Sequence, residues 1–284
     1  MPMSPSPTIA ATLQDAARQG LARLDAQLLL LEALGQPADT GRAWLLAHDT
    51  DVLPPEALAR WQNLLVRRLD GEPVAYLLGR HEFYGLLLHV DARVLDPRPD
   101  TETLVDWALE LLPDLGPAPV VADLGTGSGA IACALAHHAP QATVWATDAS
   151  ADALAVARSN AQRLHLPIQF AQGSWLQALD GRIASALSLI VSNPPYIRAD
   201  DPHLAALRHE PLSALASGAD GLDDIRSLIS QAPARLAPGG WLLLEHGYDQ
   251  APAVQHLLHE AGYSGVQSRT DLAGIARCTG GQIG

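Results

Sequence analysis

The chain of 284 residues is 48% hydrophobic and 17% charged, and 18 Lys plus Arg against 31 Asp plus Glu leave a formal charge of −13. At ~150 residues per domain the length allows about two globular domains; the composition excludes disorder, and the acidic balance argues against a long basic surface for gripping nucleic acid. No apolar run approaches the ~20 residues of a membrane span, the start MPMSPSPTIA lacks the basic and apolar regions of a signal peptide, and Cys133 and Cys278 are too few for a disulfide framework or a closed zinc site, so a cytoplasmic protein without metal or membrane contact is expected.

Residues 1–7 are rich in Pro and Ser and are expected to fray. From Thr8 to about Asp70 the pattern is helical. Leu21, Leu24, Leu28, Leu31 and Leu34 recur at helical steps before Gly35, Thr40 caps a short helix through Leu45, and Pro54-Pro55-Glu56 opens a helix with Leu58, Trp61, Leu65 and Leu69 on one face. Such a bundle packs, or presents a surface to a partner. Tyr76 to Phe83 and Leu86 to Val90 flank Tyr84-Gly85 and predict a hairpin. The division expected is a helical domain over 1–72, a β-hairpin linker over 73–95 and an α/β domain over 96–284. Two prolines hold the approach Asp96-Pro97-Arg98-Pro99 extended, and Asp100 or Thr101 is placed to cap the next helix.

Beyond Pro119 strands and helices alternate. Strands are predicted at 120–124, 143–147, 168–171, 187–191 and 241–245, and helices at 128–138, 151–164 and 223–236. Such alternation implies a mostly parallel sheet covered on both faces, with ligands at the carboxyl ends of its strands.

Asp123-Leu124-Gly125-Thr126-Gly127-Ser128-Gly129 ends one strand and opens a helix. Its spacing is G-x-G-x-G rather than the G-x-G-x-x-G of a dinucleotide loop, and it resembles the S-adenosylmethionine loop of class I methyltransferases. Asp148 ends the next strand, where a carboxylate can accept both hydroxyls of a ribose; the alternative is a helix cap. Trp175 follows the third strand and either lines an adenine pocket or is an ordinary packing residue.

Val191-Ser192-Asn193-Pro194-Pro195-Tyr196-Ile197 is the most informative segment. An amide or exocyclic amino nitrogen is a poor nucleophile because its lone pair is delocalised. It needs acceptors for its two hydrogens and an aimed lone pair. The Asn193 side-chain carbonyl and the Pro194 backbone carbonyl can be those acceptors, Pro195 holds Pro194 extended, and Tyr196 offers a flat face. The segment resembles that of N-methyltransferases of planar nitrogen, which act on DNA bases or on protein glutamine.

The wider pattern is similar to the release factor glutamine methyltransferases of the HemK/PrmC type. Its carriers include Leu24-Asp25-Ala26, Gly71-Glu72-Pro73-Val74-Ala75-Tyr76, Glu82-Phe83-Tyr84-Gly85, Pro97-Arg98-Pro99-Asp100-Thr101-Glu102, Glu210-Pro211, Asp220-Gly221-Leu222-Asp223 and Pro238-Gly239-Gly240-Trp241, beside the glycine loop and Asn193 to Ile197. The resemblance implies a class I, Rossmann-like methyltransferase fold with a small N-terminal helical domain for substrate recognition. It implies methyl transfer from S-adenosyl-L-methionine, giving S-adenosyl-L-homocysteine, to the amide nitrogen of the glutamine in the Gly-Gly-Gln motif of peptide chain release factors. Carried over by motif, Gly125, Thr126, Gly127, Ser128, Gly129, Asp148, Trp175 and Asn193 would hold the cofactor. Asn193, Pro194, Pro195 and Tyr196 would grip the glutamine, with Asn193 and Pro194 catalytic, and Arg98, Pro99 and Thr101 would wall the site. Asp96 and Ser188 depart from the pattern, standing where an apolar residue and an Asp are usual.

Two other readings stay open: a DNA or RNA amino methyltransferase on the same core, which the charge of −13 disfavours, and a cofactor-binding module whose helical domain is a platform. The tripeptide Gly280-Gly281-Gln282 repeats the implied target; it reads as coincidence, with a self-methylated tail as the alternative. The histidines form no ligand-like cluster, and His246 is expected at the pocket edge.

Overall fold

The computed structural model describes residues 6–183 and 185–284, so most of the expected frayed start lies outside the described residues. The chain divides into two compact units, residues 1–79 and 80–284. None of the described helices is long and apolar enough to cross a membrane.

The first unit is helical: α1 (Ile9–Arg18), α2 (Arg23–Ala33), α3 (Ala43–Ala47), α4 (Pro55–Leu69) and α5 (Val74–Leu78). Thr8 caps α1 by accepting from the Ala11 amide. The buried stripe of α2 runs through Ala26, Leu29, Leu30 and Ala33, whereas Leu24 is exposed and Leu28 half-buried. Four consecutive leucines permit either stripe, and small Ala26 and Ala33 let neighbours approach the one chosen. On α4 the core takes Ala57, Trp61, Leu64 and Leu65 and leaves Leu69 out. Thr40 caps nothing; α3 begins after Arg42. The expected first hairpin strand is also corrected. Pro73 opens the helix α5, Gly79 ends it at φ +67°, and the strand starts only at Arg80.

The second unit opens with the hairpin β1 (Arg80–Phe83) and β2 (Leu86–His89), in register Phe83 to Leu86. It packs within this unit: the Asn160 side chain accepts from the His89 amide at 2.7 Å and donates to the His89 carbonyl at 2.9 Å. A 3-10 turn at Pro99–Thr101 leads into α6 (Glu102–Leu111). Thr101 takes the N-cap position without a capping bond. Then come β3 (Val120–Leu124), α7 (Ala130–His138), β4 (Thr143–Asp148), α8 (Ala151–Arg163), β5 (Gln169–Gln172), β6 (Leu187–Ser192), α9 (Asp223–Gln231), β7 (Leu236–Glu245), α10 (Ala251–Glu260), β8 (Ser264–Thr270) and β9 (Ala276–Gln282).

The seven strands lie in the order β5-β4-β3-β6-β7-β9-β8, parallel from β5 to β7, with β9 antiparallel to both neighbours. Strand order reverses between β3 and β6, so the glycine loop after β3 and the Asn-Pro-Pro-Tyr segment after β6 leave the sheet side by side. The core under this switch point includes Ala122, Leu124, Ile190, Leu242 and Leu244, which alternate along their strands, packed with Ile225, Leu228, Val254 and Leu258 from α9 and α10. The helix expected to reach 236 stops at Gln231, and Leu236 instead begins β7, which meets Leu187 before a register shift and then pairs Trp241 with Leu189. Ser188 accepts from the Val120 amide at 3.2 Å, a use for the hydroxyl that stands in place of the usual Asp. Gly280 to Gln282 form the end of β9 opposite Trp241, and Gln282 donates to the Gly239 carbonyl at 2.8 Å. That tripeptide is a sheet strand, and its glycines leave room for Leu243 and Tyr263, with which a Cβ would collide.

Candidate active site

Two strand ends are tied before any ligand enters. Ser192 Oγ donates to the Leu124 carbonyl at 2.6 Å, joining β6 to β3 where both motifs begin. The Gly125 and Thr126 amides donate to the Thr147 carbonyl at 2.9 and 2.8 Å, pinning the loop to β4. Gly125, Gly127 and Gly129 all have positive φ, at +73°, +55° and +82°, the left-handed region that glycine enters without a Cβ penalty. A Cβ at Gly129 would stand 3.1–3.2 Å from Cβ and Cα of Ala157 in α8, so this glycine lets helix and loop meet.

A cavity of about 330 Å³ opens above the loop. Gly125, Gly127, Asp148, Trp175, Asn193 and Pro195 are among its walls. Thr126, Ser128 and Gly129 are not. Thr126 Oγ1 donates to Asp123 at 2.6 Å, and the Ser128 carbonyl accepts from Asn160 at 2.9 Å, so these residues shape the loop from beneath. Asp148 accepts from the Gly127 amide at 3.0 Å and the Ser150 amide at 2.9 Å. A carboxylate has about four acceptor positions, which leaves two for a ligand's hydroxyls. It is not the helix cap; Ser150 takes that place, accepting from the Ala153 amide. Trp175 is held at φ +44°, unusual for a bulky residue, with its ring against Gly125.

Asp123 is wholly buried, and burial pushes its carboxyl up to about 7 although Thr126 and the Ala132 amide both donate to Oδ2. Its Oδ1 has no hydrogen-bond partner. A glycine cradle, a carboxylate with spare acceptor positions and an orphaned acidic oxygen under the loop fit a nucleoside-bearing cation such as S-adenosylmethionine.

A second cavity of about 290 Å³ shares Leu95, Asn193 and Ala214 with the first and has Arg98, Tyr196, Ile197 and Leu207 in its lining. Asn193 is therefore a wall shared by both cavities. Pro194 is buried and lines neither. The segment Pro211 to Ala214 closes the first cavity and is anchored by Glu210, which accepts from Arg98 at 2.5 Å and from the Asp96 amide at 3.3 Å. Asp96 also meets His81 at 2.6 Å, and this bond raises the His81 pKa. The departure at Asp96 thus carries a pairing between hairpin and site wall.

Behind Asn193 is a polar cluster the sequence did not announce. Glu245 ends β7 one residue beyond the Leu244–Ser192 pair, wholly buried, and burial pushes it up to about 7. The Tyr196 hydroxyl donates to its Oε1 at 3.3 Å, and burial followed by the Glu245 charge raises the Tyr196 pKa. His246, expected at the pocket edge, is instead fully buried and meets Thr279 at 2.7 Å; burial lowers its pKa. No cluster of potential metal ligands occurs among the described residues.

Residues 8–79 match the family described as PrmC N-terminal domain, and residues 103–214 match the methyltransferase small domain. A release factor glutamine methyltransferase of Bordetella pertussis is 52% identical over 266 residues, covering 93% of this chain and 96% of the relative. One from Xylella fastidiosa is 50% identical, covering 98% of each. Among solved structures, the N-terminal domain of human METTL16 in complex with SAH aligns with a TM-score of 0.53 at 16% identity, covering 83% of this chain and 84% of that one, a likeness of fold. With half its residues shared with such relatives along nearly its whole length, the chain belongs to the release factor glutamine methyltransferase family.

Proposed function

We propose that this protein transfers a methyl group from S-adenosylmethionine to the side-chain amide nitrogen of the glutamine in the Gly-Gly-Gln motif of peptide chain release factors. Family membership supports the reaction, and one observation carries its placement: Asn193 lines both the glycine-loop cavity and a second cavity lined by Tyr196. When bound, S-adenosylmethionine supplies a methyl group on a sulfonium, an electrophile strong enough that the acceptor needs positioning more than deprotonation.

Asp148 and the glycine loop hold the nucleoside and backbone of the cofactor, and Trp175 bounds the adenine side. Asn193 Oδ1 accepts one N–H group of the glutamine; the Asn-Pro-Pro-Tyr motif implies the Pro194 carbonyl as acceptor of the other, although Pro194 lines neither cavity. That leaves the nitrogen lone pair as the part of the amide free to face the first cavity. Tyr196 covers the planar carboxamide. Transfer would form the N–CH3 bond as the S–CH3 bond breaks, the sulfur keeping the electron pair and leaving as S-adenosyl-L-homocysteine; positive charge grows on the nitrogen, and the fixed acceptors stabilise it more than the neutral amide. One amide proton is then lost to water.

The N-terminal helical unit serves substrate recognition in this reading. The test is mass spectrometry of a release factor after incubation with the protein and S-adenosylmethionine. A gain of one methyl at the Gly-Gly-Gln glutamine, absent when that residue is Ala, supports the reading. Methylation of unmodified DNA or RNA instead would replace it with the nucleic-acid one.

A further inference from the structure

Two strips of chain, distant in sequence, wall both cavities. In the first strip Leu95 lines both and Arg98 lines the second. In the other, Ala214 lines both, with Pro211 in the first cavity and Leu207 in the second. The Glu210 carboxylate joins the strips through both its oxygens: Oε1 accepts from Arg98 Nη2 at 2.5 Å, and Oε2 accepts from the Asp96 amide at 3.3 Å. The Glu210 side chain is 2% exposed, whereas that of Arg98 is 37% exposed. Arg98 Nη1 also lies 3.7 Å from Asp96 Oδ2, and Asp96 Oδ1 meets His81 at 2.6 Å. Neither Arg98 nor Glu210 lines the cofactor cavity.

We propose that Arg98 and Glu210 are positioning residues that couple the two cavities, so that a substrate in the second tightens the hold on the cofactor in the first. The inference rests on the methyltransferase reading of the same site. A buried carboxylate is stable where its charge is matched and its oxygens accept hydrogen bonds. Arg98 supplies the match, and it is the member of the pair that water still reaches. A peptide entering the second cavity covers the guanidinium and displaces that water. Breaking the ion pair then costs more, because neither charge has solvent to turn to and their attraction acts through a lower dielectric. What the pair holds is the turn Leu212–Ala214 with Pro211 before it, the residue after Glu210 and a wall of the cofactor cavity. Linkage makes the effect mutual: a cofactor that keeps this wall in place also favours the arrangement of Arg98 that meets the substrate.

The test measures the Kd of S-adenosyl-L-homocysteine by calorimetry, alone and with saturating release factor, for the wild type, Arg98→Met, Glu210→Met and the double variant. The product is the probe so that no turnover occurs; circular dichroism follows folding, and the release factor's own Kd confirms saturation. In the wild type the release factor should lower the product's Kd about fivefold or more, as ordinary coupling between sites does. Arg98→Met strands the Glu210 charge and releases the anchor, so Kd should rise roughly tenfold although Arg98 lies outside the cofactor cavity. Glu210→Met keeps Arg98 in the second cavity and should lose the shift. The double variant leaves no unpaired charge buried, so it should bind the product more tightly than Arg98→Met alone, yet change by less than about twofold with release factor. Its apolar pair keeps the test open if Arg98→Met does not fold. A role confined to folding would lower the melting points of the variants and leave the ratio of the two Kd values as in the wild type. That result, or a wild-type Kd indifferent to the release factor, would overturn the coupling while leaving the methyltransferase reading intact. A wild-type protein that leaves the release factor glutamine unmodified would take down both.

Discussion

Alanine at Gly129 and at Gly127 should fail in different ways. Both positions have positive φ, +82° and +55°, so a Cβ costs about 1–2 kcal/mol of backbone strain at each. At Gly129 the new methyl also stands 3.1 Å from Cβ and 3.2 Å from Cα of Ala157, and the backbone of α8 cannot yield as a side-chain tip would. Such overpacking adds about 1–3 kcal/mol, for a total near 2–5 kcal/mol. At Gly127 nothing lies within 4 Å, so only the strain remains. With about 2–4 °C lost per kcal/mol in a unit of this size, Gly129→Ala should melt roughly 5–15 °C below wild type and Gly127→Ala only a few degrees below. Gly127 lines the cofactor cavity, so its variant should keep its fold and bind S-adenosylmethionine more weakly. Differential scanning fluorimetry with and without cofactor measures both effects. Equal melting points for the two variants would refute the reasoning that Gly129 is set by helix contact.

Asp148→Ala removes a charged acceptor from the cofactor cavity and should weaken S-adenosylmethionine binding about 10- to 100-fold by calorimetry; unchanged affinity would remove Asp148 from the site. Burial raises the carboxyls of Asp123 and Glu245 to about 7 from ordinary values of 3.8 and 4.5. The folded state therefore holds protons that the unfolded chain has released, so stability falls as pH rises from about 4 and levels off above about 7. Urea titrations of the cofactor-free protein should show this decline, and Glu245→Gln should flatten part of it; identical slopes would contradict the burial argument.

The parallel core was legible because its strands are short apolar runs between helical segments, and because Gly125 to Gly129 and Asn193 to Tyr196 are local motifs at strand ends. What escaped depended on partners distant in sequence. The four leucines of α2 fit two stripes, and packing chose the one through Ala26 and Ala33. Tyr76 and Leu77 suit a strand by composition, but Pro73 and Gly79 delimit a turn of helix around them. Ser264–Thr270 and Ala276–Gln282 are rich in polar residues and glycine, and they become strands by antiparallel pairing along the edge of β7. Thr101 looked like a helix cap because its position is one; its hydroxyl is used by Asn193, which follows another strand. Glu245 carried no motif at all, and only the alignment of β6 with β7 brings it behind the site.

The most direct test of the account is Asn193→Ala assayed for two quantities at once, affinity for S-adenosylmethionine and the rate of methyl transfer to a release factor. Loss of one fixed acceptor predicts a rate lower by roughly 10²–10³ with cofactor affinity little changed. A variant that binds the cofactor and methylates the glutamine at the wild-type rate would contradict it.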